Sequence, residues 1–159
     1  MAKLYFRHGT MGSAKTLNLL AVAHNYRSQN KKVLILKPRT DTRYGVSTVE
    51  SRAGLRAEAD LVVDRETVLD PKDFVGVDCV LVDEAQFLTA GLVDQLRGLT
   101  LAPGLPVICY GLRTDFQTHL FEGSRVSSSS PTASKRSRSP ASTATRRRSS
   151  TCASSPARP

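Results

Sequence analysis

The sequence has no tryptophan, only three cysteines, and no acidic side chain in its last 34 residues. Each shortage excludes something. Cys79, Cys109 and Cys152 form no Cys-x-x-Cys pair, so neither a disulfide framework nor a cysteine-based zinc site is supported. A reduced, cytoplasmic compartment is the expectation. No apolar run approaches the roughly 18 residues of a membrane span. The start, Met1–Arg7, reads as a short strand and not as a signal peptide. The missing carboxylates also relocate the net charge of +9. Residues 126–159 hold seven Lys and Arg, which leaves 16 basic against 14 acidic residues before them, a net of +2. The basic character therefore marks one segment and says little about the partners of the rest.

That segment holds twelve Ser, four Thr, five Ala and four Pro, and Val126 is its only sizeable apolar residue. Such a composition buries too little surface to offset chain entropy, so residues 126–159 are expected to form a disordered basic tail. Residues 1–125 carry the Val, Leu, Ile, Phe and Tyr of one modest core. Two units follow: a core over 1–125 and a tail over 126–159.

Within the core, apolar strands alternate with helical spacing. Lys3–Arg7, Lys32–Lys37, Asp60–Val63, Cys79–Val82 and Pro106–Tyr110 read as strands, most of them continuous apolar runs. Lys15–Ser28 has two overlapping helical sets, Leu17-Leu20-Ala21-His24 and Leu19-Val22-Ala23-Tyr26, which predicts a helix buried on more than one side. Ala90–Leu99 is the second helix, and the polar stretch Pro38–Gly54 reads as loop. Unalternating strands separated by helices predict an α/β fold of three layers around a mainly parallel sheet; the glycine-containing loop Gly9–Thr16 makes it of the phosphate-loop nucleotide-binding kind.

Two motifs carry chemistry. Gly9-Thr10-Met11-Gly12-Ser13-Ala14-Lys15-Thr16 lies between a strand and a helix and nearly matches G-x-x-x-x-G-K-[ST]. In that pattern backbone N–H groups curl around phosphates, the lysine reaches the β- and γ-phosphates and the Thr hydroxyl serves Mg²⁺. Ala14 replaces the second glycine. A positive φ there strains the alanine by about 1 kcal/mol or more; a negative φ asks only for space. The second motif is Val80–Val82 followed by Asp83-Glu84-Ala85-Gln86, an apolar strand ending in two carboxylates. Asp83 suits Mg²⁺, held through water, and Glu84 a general base. The two motifs are 74 residues apart, yet strand carboxyl ends in a parallel sheet gather on one edge. Asp-Glu-x-Gln also suits a helicase-like ATPase acting on nucleic acid, and that alternative stays open on these residues alone.

Five segments in order narrow it: Lys3–Thr16 (KLYFRHGTMGSAKT), Lys37-Pro38-Arg39 with Asp41–Gly45, Ser51–Leu55 (SRAGL), Val82–Leu88 (VDEAQFL) and Val107–Phe116 (VICYGLRTDF). This succession resembles the type II thymidine kinases over residues 1–125. The resemblance implies transfer of the γ-phosphoryl group of ATP to the 5′-hydroxyl of thymidine, in deoxynucleotide salvage. It implies ATP contacts by Gly9–Thr16 and by Asp83, Glu84, Ala85 and Gln86, with Glu84 as the catalytic proton acceptor. Arg43 is similar to a family arginine near the phosphates, and Phe87 and Phe116 match aromatic positions around the thymine. Mg²⁺ and a homotetramer are implied as well. His8, His24 and His119 show no metal-ligand spacing and read as structural or surface residues.

The likeness stops near Arg125. Family members continue into a zinc ribbon with Cys-x-x-Cys pairs and a loop that closes over the nucleoside, and neither pattern occurs in residues 126–159. Zinc is thus expected of the family while its ligands are absent here. A Ser/Arg/Pro/Ala tail beginning abruptly suggests a shifted reading frame, which sequencing the gene past codon 125 tests. Without the closing loop, the chain is expected to bind ATP–Mg²⁺ and to phosphorylate thymidine poorly. Nucleic acid is expected to bind the tail only non-specifically, through charge.

Overall fold

A computed structural model of the chain describes residues 2–114 and the backbone of 134–136. Among the described residues eight strands and two α-helices run in the order β1 (Leu4–His8), α1 (Lys15–Ser28), β2 (Val33–Pro38), β3 (Thr48–Glu50), β4 (Arg56–Glu58), β5 (Leu61–Val63), β6 (Cys79–Val82), α2 (Ala90–Leu101), β7 (Val107–Gly111) and β8 (Ser134–Arg136). Six strands form one sheet, ordered β5-β2-β6-β7-β1-β8, and every pair in it is parallel. Parallel strands need crossovers, and both faces of such a sheet must be covered.

The strand sequences show how that cover is shared. In β2, Val33 and Ile35 pack with α1 residues Leu19, Leu20 and Ala23, while Leu34 and Leu36 pack with α2 residues Leu92, Val93, Leu96 and Leu99. β6 splits the same way, with Cys79 and Leu81 on one face and Val80 and Val82 on the other. A period of two thus hides inside each continuous apolar run, because both faces are buried. This is the three-layer α/β arrangement expected from the sequence.

Two expectations need correction. α1 buries one side only: Leu19, Leu20 and Ala23 are buried, whereas Ala21 and His24, which share a helical set with Leu20, are exposed. Alanine and histidine satisfy a helical spacing without needing burial. The stretch Pro38–Gly54 is not all loop, because β3 pairs antiparallel with β4 in a separate two-stranded sheet. Each strand has three residues, and Val49 alone among them is buried, so there was little apolar pattern to read. In the tail, three residues form β8 beside β1, with Phe6 opposite Ser134; the other tail residues lie outside the described residues.

Register positions the site. Phe6 of β1 and Val82 of β6 both align with Cys109 of β7, and Val82 also aligns with Leu36 of β2. One row therefore crosses four strands. Just past it, on the carboxyl edge, lie the loop after His8, Gly111, Asp83-Glu84 and the segment after Pro38.

Candidate active site

The loop after β1 turns through Gly12, at φ +78°, and Ala14, at φ +56° and ψ 27°. The Ser13 N–H donates to the Thr10 carbonyl at 3.2 Å, and the Asn18 N–H to the Ala14 carbonyl at 2.9 Å, which starts α1. Ala14 therefore occupies the left-handed region, the strained one of the two possibilities its sequence left open, at a cost of roughly 1–2 kcal/mol. α1 has no side-chain N-cap and no acidic residue in its first turn. Its first N–H groups and its positive dipole end thus face the loop unneutralised. The Lys15 ammonium donates to the Thr10 carbonyl at 2.7 Å, the Ser13 hydroxyl at 3.2 Å and the Gly9 carbonyl at 3.4 Å. Its burial lowers its pKa, against the pull of Glu84 and Asp83.

At the end of β6, Asp83 is only 4% exposed. The Thr16 hydroxyl lies 3.3 Å from each of its carboxylate oxygens. Burial pushes Asp83 up to about 7, and the neighbouring Glu84 adds to this, while the Glu84 N–H and the Thr16 hydroxyl oppose it. Among the described residues no basic side chain lies within ion-pair distance of Asp83. A buried carboxylate without a basic partner, beside a Thr hydroxyl, is the hard-oxygen donor set that suits Mg²⁺. These residues therefore fit the metal that the phosphate-loop pattern calls for.

Glu84 follows at φ +47°, again left-handed, which turns its side chain out of the strand direction. Its two carboxylate oxygens are both engaged, Oε1 by the Arg43 guanidinium and Oε2 by the Gln86 amide. Gln86 is itself fixed, because its Oε1 accepts the Leu112 N–H at 3.0 Å. The close approach explains Gly111. A Cβ there would lie 2.8 Å from Gln86 Oε1 and 3.1 Å from the Gln86 nitrogen, so only glycine fits without movement.

Arg43 is held from behind. Its Nε donates to Asp41 Oδ1 at 2.8 Å, and the Lys37 ammonium is 3.6 Å from Asp41 Oδ2. Lys37, 1% exposed, also donates to the Gly45 carbonyl at 2.8 Å and the Thr48 carbonyl at 2.6 Å. Burial would raise the Asp41 carboxyl, but hydrogen bonding and charge from Arg43, with the Lys37 charge, hold it below the usual carboxylate range. Arg43 is in turn raised by Asp41 and Glu84. A chain of charges thus runs from Lys37 through Asp41 and Arg43 to Glu84.

A cavity of about 410 Å³ joins these parts. Met11–Leu17, Asp41, Arg43, Asp83, Glu84, Gln86 and Phe87 line it. Gly9, Thr10 and Ala85 shape the backbone around it without lining it, and Ala85 is fully buried. Phe87, 43% exposed, sits on the rim and not in the core. His8 stacks at a tilt beside Phe6, and His24 is exposed. Phe116 and His119 lie outside the described residues. Sequence reasoning gave no role to Lys37, Asp41, Gly111 or the β3–β4 hairpin. A lysine closing the apolar run KVLILK was the one available signal for the first of them.

Comparison with known proteins gives a consistent result. A family model described as thymidine kinase matches residues 2–130, five residues beyond the boundary expected at 125. A thymidine kinase of Xanthomonas axonopodis pv. citri is 47% identical over 131 residues, covering 79% of this chain and 62% of that protein. One from Lactococcus lactis subsp. lactis is 44% identical over 127 residues, covering 79% and 67%. One from Lactiplantibacillus plantarum is 45% identical over 127 residues, covering 79% and 66%. The chain thus spans about two thirds of the length of the relatives it matches.

Proposed function

The chain belongs to the thymidine kinase family, and from that premise we propose that its site transfers the γ-phosphoryl group of ATP to the 5′-hydroxyl of thymidine. The observation that carries the reading is the placing of Glu84. It is clamped by Arg43 and Gln86, on the cavity that Lys15 and the Thr16–Asp83 pair also line.

A 5′-hydroxyl is a weak nucleophile until a carboxylate orients it and takes its proton, which is the role of Glu84. The loop N–H groups and the α1 N-terminus cradle the phosphates of ATP. Lys15 leaves the loop carbonyls for the β- and γ-oxygens and meets the charge there. Thr16 and Asp83 would hold Mg²⁺, which would supply positive charge against the phosphate oxygens. Arg43 orients Glu84 and keeps its remaining N–H groups for the transferring phosphoryl. Phe87 offers a ring face to thymine, joined by Phe116. We place the protein in the cytoplasm as a homo-oligomer, a tetramer by likeness to the family; light scattering on the eluting protein checks this. Among the described residues no helix is long and apolar enough to cross a membrane.

The test measures thymidine monophosphate from labelled ATP, and ADP release with thymidine, with single-stranded DNA and with neither. Thymidine is expected to raise ADP release and DNA to leave it unchanged. Turnover is expected to be slow, because the rim at Phe87 is open to water. Glu84→Gln is expected to lower kcat by about 100- to 10,000-fold while ATP still binds. A Glu84→Gln chain that turns over like the original rules out Glu84 as the base.

A further inference from the structure

One motif of the sequence, Ser51–Leu55, has no part in the chemistry above. It is the turn of the β3–β4 hairpin, and it is closely built. The Ser51 N–H donates to the Leu55 carbonyl at 2.8 Å, the Gly54 N–H to the Ser51 carbonyl at 2.9 Å and the Leu55 N–H to the Ser51 hydroxyl at 3.1 Å. Gly54 takes φ +83°, and Ser51 is buried. The strands beneath it are pinned twice. Val49, 1% exposed, packs with Leu19, Leu20 and Ala23 of α1. Glu50 faces Arg56 across the hairpin and pairs with it at 2.9 Å. The hairpin is therefore tied to the helix that begins at the phosphate loop.

Its turn presents Arg52 to that loop. The Arg52 Nη1 lies 3.5 Å from the position a Cβ on Gly12 would take. Arg52 lines the same cavity as Lys15, Arg43, Asp83 and Glu84. Apart from Asp83, set beside the Thr16 hydroxyl, the cavity's other carboxylates are paired with arginines. Asp41 and Glu84 share Arg43, and Glu50 pairs with Arg56. Lys15 and Arg52 remain, and among the described residues neither has a carboxylate within ion-pair distance. Two cations without carboxylates thus line the cavity beside a loop whose N–H groups already favour an anion. Both Arg43 and Arg52 lie close enough to depress the Lys15 pKa.

We propose that Arg52, carried on the hairpin turn, is a further phosphate-binding residue that borders the loop site beside Gly12 and takes the terminal phosphates of a nucleoside triphosphate. The proposal deepens the kinase reading and rests on its identification of the phosphate site. A guanidinium suits the role because its planar fork gives two parallel N–H bonds to one phosphate, which an ammonium does not.

The experiment reads binding, so it does not depend on phosphoryl transfer. Calorimetry with the full chain and Mg²⁺ compares ATP, ADP and AMP for the original protein, Arg52→Lys and Arg52→Ala. Arg52→Ala is expected to weaken ATP by about tenfold or more, ADP by a smaller factor and AMP not at all, and Arg52→Lys to restore part of the loss. The salt dependence of ATP binding is expected to become shallower in Arg52→Ala. Circular dichroism and a melting curve matching the original protein show that the fold is intact. Unchanged ATP affinity in a folded Arg52→Ala chain overturns the proposal, as does an equal loss for ATP and AMP. If thymidine is not phosphorylated yet the ATP-to-AMP discrimination falls as expected, the activity reading fails and the role of Arg52 stands.

Discussion

Replacing Lys37 by Met tests the charge chain behind Glu84. The change removes a cation that is 1% exposed, unpairs the Gly45 and Thr48 carbonyls and leaves Asp41 with Arg43 alone. Breaking a buried pair by removing one partner costs about 3–5 kcal/mol. Two features moderate that figure here. Asp41 keeps its Arg43 contact, and Gly45 is exposed, so water satisfies its carbonyl. A loss of about 3 kcal/mol is expected, which at a urea m-value near 2 kcal/mol/M moves the midpoint down by roughly 1.5 M. Adding Asp41→Asn removes the stranded carboxylate, so the double variant is expected to lose at least 1 kcal/mol less than the two single losses combined, an order-of-magnitude coupling for groups in contact. The pH dependence follows with a definite sign. Asp41 is held below its unfolded range in the fold, so its contribution is fully present above pH ~4, begins to fall there and is lost as pH drops on through the lower pKa of the fold. Lys37→Met is expected to flatten this acid slope. Urea unfolding of the four chains at pH 7 and over a series of pH values from ~4 downward measures all of it. A midpoint shift under about 0.3 M for Lys37→Met, or additivity within about 0.5 kcal/mol, refutes the network as described.

Two other substitutions bear on the backbone of the site. Ala14→Gly relieves a left-handed alanine and is expected to stabilise by about 0.5–1 kcal/mol net of the added unfolded-state freedom, read as a rise in Tm; a fall in Tm shows that Ala14 is not strained. Gly111→Ala puts a methyl 2.8 Å from Gln86 Oε1 and is expected to cost about 1–3 kcal/mol and to lower kcat through the displaced Gln86–Glu84 bond; unchanged stability and turnover remove Gln86 from the positioning of Glu84.

What was legible in the sequence was local or periodic. Lys15–Ser28 and Cys79–Val82 have the same limits in the structure as in the sequence reading, because a helical period and an uninterrupted Cys-Val-Leu-Val run are properties of neighbouring residues. The meeting of Gly9–Thr16 with Asp83-Glu84 was legible too, since parallel strands send their carboxyl ends to one edge. The hairpin and the charge chain were not. Val49 is the one fully buried residue of β3 and β4, so the hairpin's stability comes from contact with α1, some 30 residues earlier, which no local pattern encodes. Lys37 reads as the polar end of a strand; what makes it structural is that the chain returns to place the Gly45 and Thr48 carbonyls around its ammonium. Glu84 shows the same division. Its residue type and its strand-end position pointed to a base, but its aim comes from Arg43 and Gln86, and their aim comes from Asp41 and from a backbone N–H that Gly111 leaves accessible. The identity of a chemical group is therefore readable in one dimension. Its orientation is set by partners that only the fold assembles, which is why the supporting residues, and not the reacting ones, are where the structure adds most.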